Sequence, residues 1–153
     1  MSDVSVLREL IGRQSDEVLV EVERGAIRKF AEAVGDTTEA CIRGDIAPPT
    51  FPTTIRIPIP GLTFDLARVL HGGQEYRFER PILAGDRLRC RTRLRDVYQR
   101  EGRLGAMTFL IIELEGRSED GEPVFSGRST VKPIRPFFLI LAIMAKFSLI
   151  TAV

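Results

Sequence analysis

The sequence predicts an α+β domain in which an antiparallel sheet packs on a central helix. Three observations carry this. Ile27, Phe30, Ala31 and Val34 recur at i, i+3, i+4 and i+7, the apolar stripe of one helix. Leu88, Cys90, Thr92 and Leu94 alternate with Arg87, Arg89, Arg91, Arg93 and Arg95, the period of a half-buried strand. Met107 to Leu114 (MTFLIIEL) is an apolar run of strand formers. Helical signals come first and strands follow as a series, without the alternation that a parallel sheet requires.

Element by element, Val4 to Ile11 can form a helical turn stopped by Gly12. Val18, Val20 and Val22 alternate with Leu19, Glu21 and Glu23, which suits a strand. The spacing predicts a helix over Gly25 to Val34, with Gly35 as its stop because glycine takes the left-handed conformation cheaply. A second helix start lies at Thr50, a capping residue, with Pro52 in the first turn. That helix must be short, since Pro58 and Pro60 cannot continue it. Asp65 to Leu70 is read as a further helical turn, and His71-Gly72-Gly73 as a turn at a strand entry. Tyr76, Phe78 and Arg80 then share a strand face, Glu119-Asp120-Gly121-Glu122 turns the chain, and Val124 to Val131 is a last strand.

A chain of 153 residues with 44% hydrophobic and 28% charged residues fits one globular domain. Its formal net charge of +1 calls for neither nucleic acid nor an anionic membrane as partner. Cys41 and Cys90 make no disulfide framework, and the N-terminus shows no apolar signal segment. The expectation is a cytoplasmic protein with reduced thiols. One histidine with scattered cysteines makes no metal-ligand cluster, so no metal is expected. Gly72-Gly73 is too short for a phosphate-binding fingerprint, and no serine is spaced to work with His71.

Four segments, in this order, resemble the N-terminal MaoC-like domain, also called the FAS1-like dehydratase domain. They are Phe30 to Asp36 (FAEAVGD), Ala47 to Phe51 (APPTF), Leu70 to Tyr76 (LHGGQEY) and Pro81 to Leu88 (PILAGDRL). The resemblance spans roughly positions 10 to 132. It implies the hot-dog fold, a curved antiparallel sheet wrapped around a central helix, over residues 1–135. It also implies a chemistry, the addition of water to a trans-2-enoyl thioester or its removal from an (R)-3-hydroxyacyl thioester. The substrate would be an acyl-CoA or acyl carrier protein thioester, and no cofactor is implied. In active members of the family an aspartate and a histidine five residues later hold and activate the water, and backbone N–H groups at the start of the central helix stabilise the thioester oxygen. Pro49, Thr50 and Phe51 match that last, substrate-binding position.

Asp36 matches the family aspartate, but Cys41 stands where the resemblance places the histidine. A thiol, with an ordinary pKa of about 8.5 and weak hydrogen bonds, orients water poorly. The loop between Asp36 and Ala47 also looks shorter than the overhang that carries the catalytic pair in active relatives. Both departures imply a non-catalytic copy of the fold. In the family such copies widen the acyl tunnel for an active half, in the same chain or in a partner. The expected assembly is a homodimer, or a heterodimer with a catalytic MaoC-like subunit.

Each candidate residue has a plainer reading. Asp36 after Gly35 suits a turn or helix cap. Cys41 suits a filled core position. His71 suits a structural or interface role as well as general-base work. The arginine row reads either as a solvated, ion-paired sheet face or as a surface for an anionic partner such as coenzyme A phosphates or an acidic carrier protein. Residues 137–153, FFLILAIMAKFSLITAV, lie outside the resemblance. They sit at the lower length limit for a membrane span and are interrupted by Lys146, so burial against a subunit or the domain is expected instead.

Three functions follow. The first is a non-catalytic subunit of an enoyl-thioester hydratase or dehydratase. The second is an active hot-dog enzyme, a hydratase or thioesterase, using Asp36 or His71. The third is an acyl-binding or docking module without chemistry.

Overall fold

A computed structural model describes residues 4–63, 69–103 and 105–133. The apolar tail 137–153 and most of the helical turn expected over Asp65 to Leu70 lie outside these residues. The elements are α1 (Val4–Glu9), β1 (Val18–Glu21), α2 (Arg24–Val34), α3 (Glu39–Arg43), a 3-10 turn (Phe51–Thr54), β2 (Val69–Phe78), β3 (Arg87–Gly102), β4 (Gly105–Arg117) and β5 (Pro123–Pro133). The strands form one antiparallel sheet in the order β1-β3-β4-β5-β2.

The alternation in β3 becomes a division between two faces. Leu88, Cys90 and Leu94 are fully buried, while the intervening arginines line the opposite face. Ile27 of α2 is buried over one half of the inner face, together with Val22, Phe51 and Ile82. Val4, Leu10, Ile59 and Leu62 cover the other half above Leu94, Val97 and Leu110. Each large aliphatic side chain enclosed this way contributes about 1.5–3 kcal/mol.

α2 ends where the sequence places its stop. Gly35 sits at φ +70°, and its own N–H and that of Asp36 return to carbonyls of the last turn. The prolines limit the next helix to the 3-10 turn, after which residues 55–62 cross the sheet without regular structure. That crossing is tied down by Thr92, whose hydroxyl donates to the Ile57 carbonyl at 2.8 Å.

Two sequence expectations need correction. His71, Gly72 and Gly73 do not form a turn before a strand. They lie inside β2, where a β-bulge between His71 and Gly73 absorbs the irregularity and glycine lets the backbone approach Thr130. Thr50 does not cap with its side chain. Its backbone is already helical, and it serves instead as acceptor, its carbonyl taking bonds from the Thr53 N–H and hydroxyl. The alternation holds through Arg95, which stays on the outer face beside Glu113, and it breaks at Asp96, where a bulge shifts the register.

Candidate functional site

The connection from α2 into α3 holds the two residues of the expected catalytic pair. Asp36 leaves α2 directly after the Gly35 stop. Its carboxylate accepts the Thr38 N–H at 2.8 Å, an Asx turn that starts α3. The Cys41 N–H then donates to the Thr38 carbonyl at 3.0 Å. This brings the Cys41 thiol, 5% exposed, to face the Asp36 carboxylate.

The electrostatics of the pair separate its two protonation states. The Thr38 hydrogen bonds hold the Asp36 carboxyl below the usual carboxylate range, and a weaker bond from Cys41 adds to this. Burial pushes the Cys41 thiol up, and the neighbouring Asp36 charge pushes it further. At neutral pH the pair is therefore a carboxylate facing a neutral thiol. A lowered pKa makes Asp36 a weaker proton acceptor, and the thiol has little tendency to give up or relay a proton. The pair can hold a polar group in place, but it lacks a partner that titrates near neutrality.

The other expected site residues fall in two places. Phe51 is buried and packs edge-to-face on Phe30, with ring centroids 5.6 Å apart. Its N–H is spent on the Pro48 carbonyl at 2.8 Å, and Pro52 has none to offer. Pro49 and Thr50 are exposed at the start of the turn. The geometry brings Asp36 and Cys41 together, and sets Pro49, Thr50 and Phe51 on the segment that follows. His71 lies apart from both, exposed on the edge strand β2 opposite Val131. Cys90 is enclosed within the core, where burial raises its thiol to about 12. Among the described residues, no group of histidine, cysteine and carboxylate side chains could hold a metal ion.

Sequence reasoning did not single out Thr92 and Ser15, the buried polar residues of the inner face. The Ser15 hydroxyl accepts the Thr92 N–H at 3.0 Å, the Ser15 N–H donates to the Thr92 carbonyl at 2.9 Å, and the Thr92 side chain holds Ile57. The signal was present: Thr92 is the one hydroxyl in the inward register Leu88, Cys90, Thr92, Leu94. The arginine row is largely ion-paired. Arg87 meets Glu119 at 2.9 Å and Glu21 at 3.5 Å, and Arg89 meets Glu17 at 3.6 Å.

Comparison with known proteins agrees with this arrangement. The model of the FAS1-like dehydratase domain region matches residues 9–126. A UPF0336 protein of Saccharopolyspora erythraea is 38% identical over 128 residues, covering 72% of this chain and 80% of its own length. The C-terminally truncated HadBC (3R-hydroxyacyl-ACP dehydratase) complex of Mycobacterium tuberculosis superposes with a TM-score of 0.61 at 22% identity, over 80% of this chain and 96% of that one. The ChsH1-ChsH2 complex of the same organism gives 0.61 at 20% identity, over 87% and 94% of the two chains. These structural likenesses establish the hot-dog fold, in which the five-stranded sheet and its covering segments are arranged as described above. The chain belongs to the FAS1-like dehydratase-domain family.

Proposed function

We propose that the chain is a non-catalytic hot-dog subunit of an (R)-specific enoyl-thioester hydratase or 3-hydroxyacyl-thioester dehydratase, lining the acyl tunnel for a catalytic partner. The observation that carries this reading is the Asp36–Cys41 pair. The aspartate is held in a turn by Thr38, and its neighbour is a protonated thiol instead of an imidazole. Hydration of an enoyl thioester needs a group that takes a proton from water and another that gives one to carbon. Asp36 alone cannot meet both needs near neutral pH. The engaged Phe51 N–H supports the same reading, since an oxyanion site requires donors that are free to meet the developing charge.

The partner would be a hot-dog chain bearing an intact aspartate and histidine, and the substrate an acyl-CoA or acyl carrier protein thioester. HadBC and ChsH1-ChsH2 are themselves complexes, which makes a paired assembly a natural setting for this fold. Among the described residues, no helix is long and apolar enough to cross a membrane.

The test is reconstitution. The purified chain is mixed with a hot-dog partner that carries the aspartate and histidine, and hydration is followed across acyl-chain lengths. The expected result is turnover that depends on the partner's histidine, with the range of accepted chains changed by this subunit. A partner whose rate and chain-length range are indifferent to this chain would overturn the proposal.

A further inference from the structure

The outer face of the sheet carries a groove of about 520 Å³ that none of the chemistry above uses. Four arginines line it from three strands: Arg77 of β2, Arg91 and Arg93 of β3, and Arg128 of β5. Two of the three carboxylates in the lining, Glu113 and Glu115, are already engaged. Glu113 takes Arg128 at 3.2 Å and Arg95 at 4.0 Å, and Glu115 takes Arg117 at 3.6 Å. Arg91 reaches Glu17 at 3.8 Å, which it shares with Arg89, and its Nη1 donates to the Gln14 Oε1 at 3.3 Å. Among the described residues, no carboxylate lies within 4.0 Å of Arg77 or Arg93. The Nε atoms of Arg91 and Arg93 are enclosed and meet no acceptor among the described residues. Their stems are thus packed against the sheet, and both residues line the groove. Heads ordered in advance lose less entropy on meeting a planar anion.

We infer that this groove docks an acidic polypeptide segment, whose carboxylates pair with Arg91, Arg93 and Arg77. The inference is independent of the acyl-thioester reading. The groove crosses four strands, which at about 4.8 Å per strand is about 14 Å, the length of two to three helical turns or four extended residues. Its floor is built from mid-strand side chains and its lining is charged, so it lacks the apolar enclosure that a small-molecule pocket requires. Glu75, Glu113 and Glu115 in the same lining oppose a continuous column of phosphates, whereas separate carboxylates can sit between them. Tyr76 alone among the lining residues offers a ring, too little for stacking a nucleic acid strand.

The test measures binding of fluorescent poly-L-glutamate to the full chain by anisotropy, at about 50 and about 300 mM NaCl. Duplex DNA of equal charge and anionic lipid vesicles serve as comparison ligands. The expected result is saturable binding to poly-L-glutamate that weakens about tenfold or more at the higher salt. R91Q/R93Q should lose about tenfold in affinity at low salt, and R77Q, at the other end of the groove, should lose several-fold. R8Q/K29Q, which removes the same charge from exposed helix positions, should stay within about twofold. Thermal melting of each variant checks that it folds. Equal losses in R91Q/R93Q and R8Q/K29Q, absence of binding at low salt, or tighter binding of DNA or vesicles would each overturn the inference. So would self-association abolished by R91Q/R93Q, which would assign the face to a second copy of the chain.

Discussion

Replacing Thr92 by valine tests whether residues 55–62 are held over the sheet by a hydrogen bond or by packing alone. The side chain is 6% exposed, and its hydroxyl donates to the Ile57 carbonyl at 2.8 Å. Valine keeps the shape and the strand propensity, so the cost isolates the lost donor. A partly enclosed carbonyl left without its partner costs about 1–3 kcal/mol. In a chain of this length that lowers Tm by about 2–4 °C per kcal/mol. Urea unfolding gives the free energy, with an unchanged m-value showing that the folded state is equally compact. Limited trypsin digestion gives the locality. Arg56 is exposed and precedes Ile57, so cleavage there should accelerate if the crossing loosens. A loss below about 0.5 kcal/mol, the range of an ordinary surface substitution, with unchanged cleavage after Arg56, would refute the reasoning.

Other outcomes follow from the same geometry. Asp36 has a folded pKa below its ordinary value, so its stabilising effect is present above the ordinary carboxylate range and is lost as pH falls through the lowered folded value. Urea midpoints of wild type and Asp36→Asn should therefore differ most near neutrality and converge in strong acid; a gap that persists unchanged at low pH would contradict this. Cys41 and Cys90 are buried with raised pKa values, so neither should react with iodoacetamide in the folded protein at neutral pH, and both should react in urea. Mass spectrometry that finds Cys41 promptly alkylated in the native state would show that its enclosure is misjudged. Gly116→Ala should destabilise by about 2 kcal/mol or more, because the new Cβ would lie 2.1 Å from the ring of Phe125, which is itself buried. Thermal melting within a degree of wild type would mean that the ring has room to move.

The β3 alternation was readable because its two faces meet different surroundings, core on one side and ion pairs on the other. The α2 stripe was readable for the same reason, with Gly35 as punctuation. The strand content of Asp96 to Gly102 was not, since that stretch is polar and its pairing depends on Phe109 and Met107, opposite Tyr98 and Arg100. Tyr98 stacks on Phe109 at 5.1 Å, a cross-strand contact that no single segment reveals. The two glycines in β2 read as a turn because a bulge and a turn call for the same residue. At the site, the chain order of Asp36 and Cys41 was visible. Their electrostatic relation was not, because the carboxylate is tuned by the backbone of Thr38 and the thiol by its depth in the fold. The Thr92–Ile57 bond spans a separation of 35 residues and leaves no local pattern.

The most direct test of the central claim is steady-state hydration of crotonyl-CoA by a homogeneous preparation of this chain alone, with folding verified beforehand. The account predicts no turnover above the uncatalysed background at any pH between about 6 and 8, the window in which an imidazole would titrate and Cys41 does not. Turnover at a rate ordinary for enzymes, about 1 per second or faster and abolished by Asp36→Asn, would contradict it.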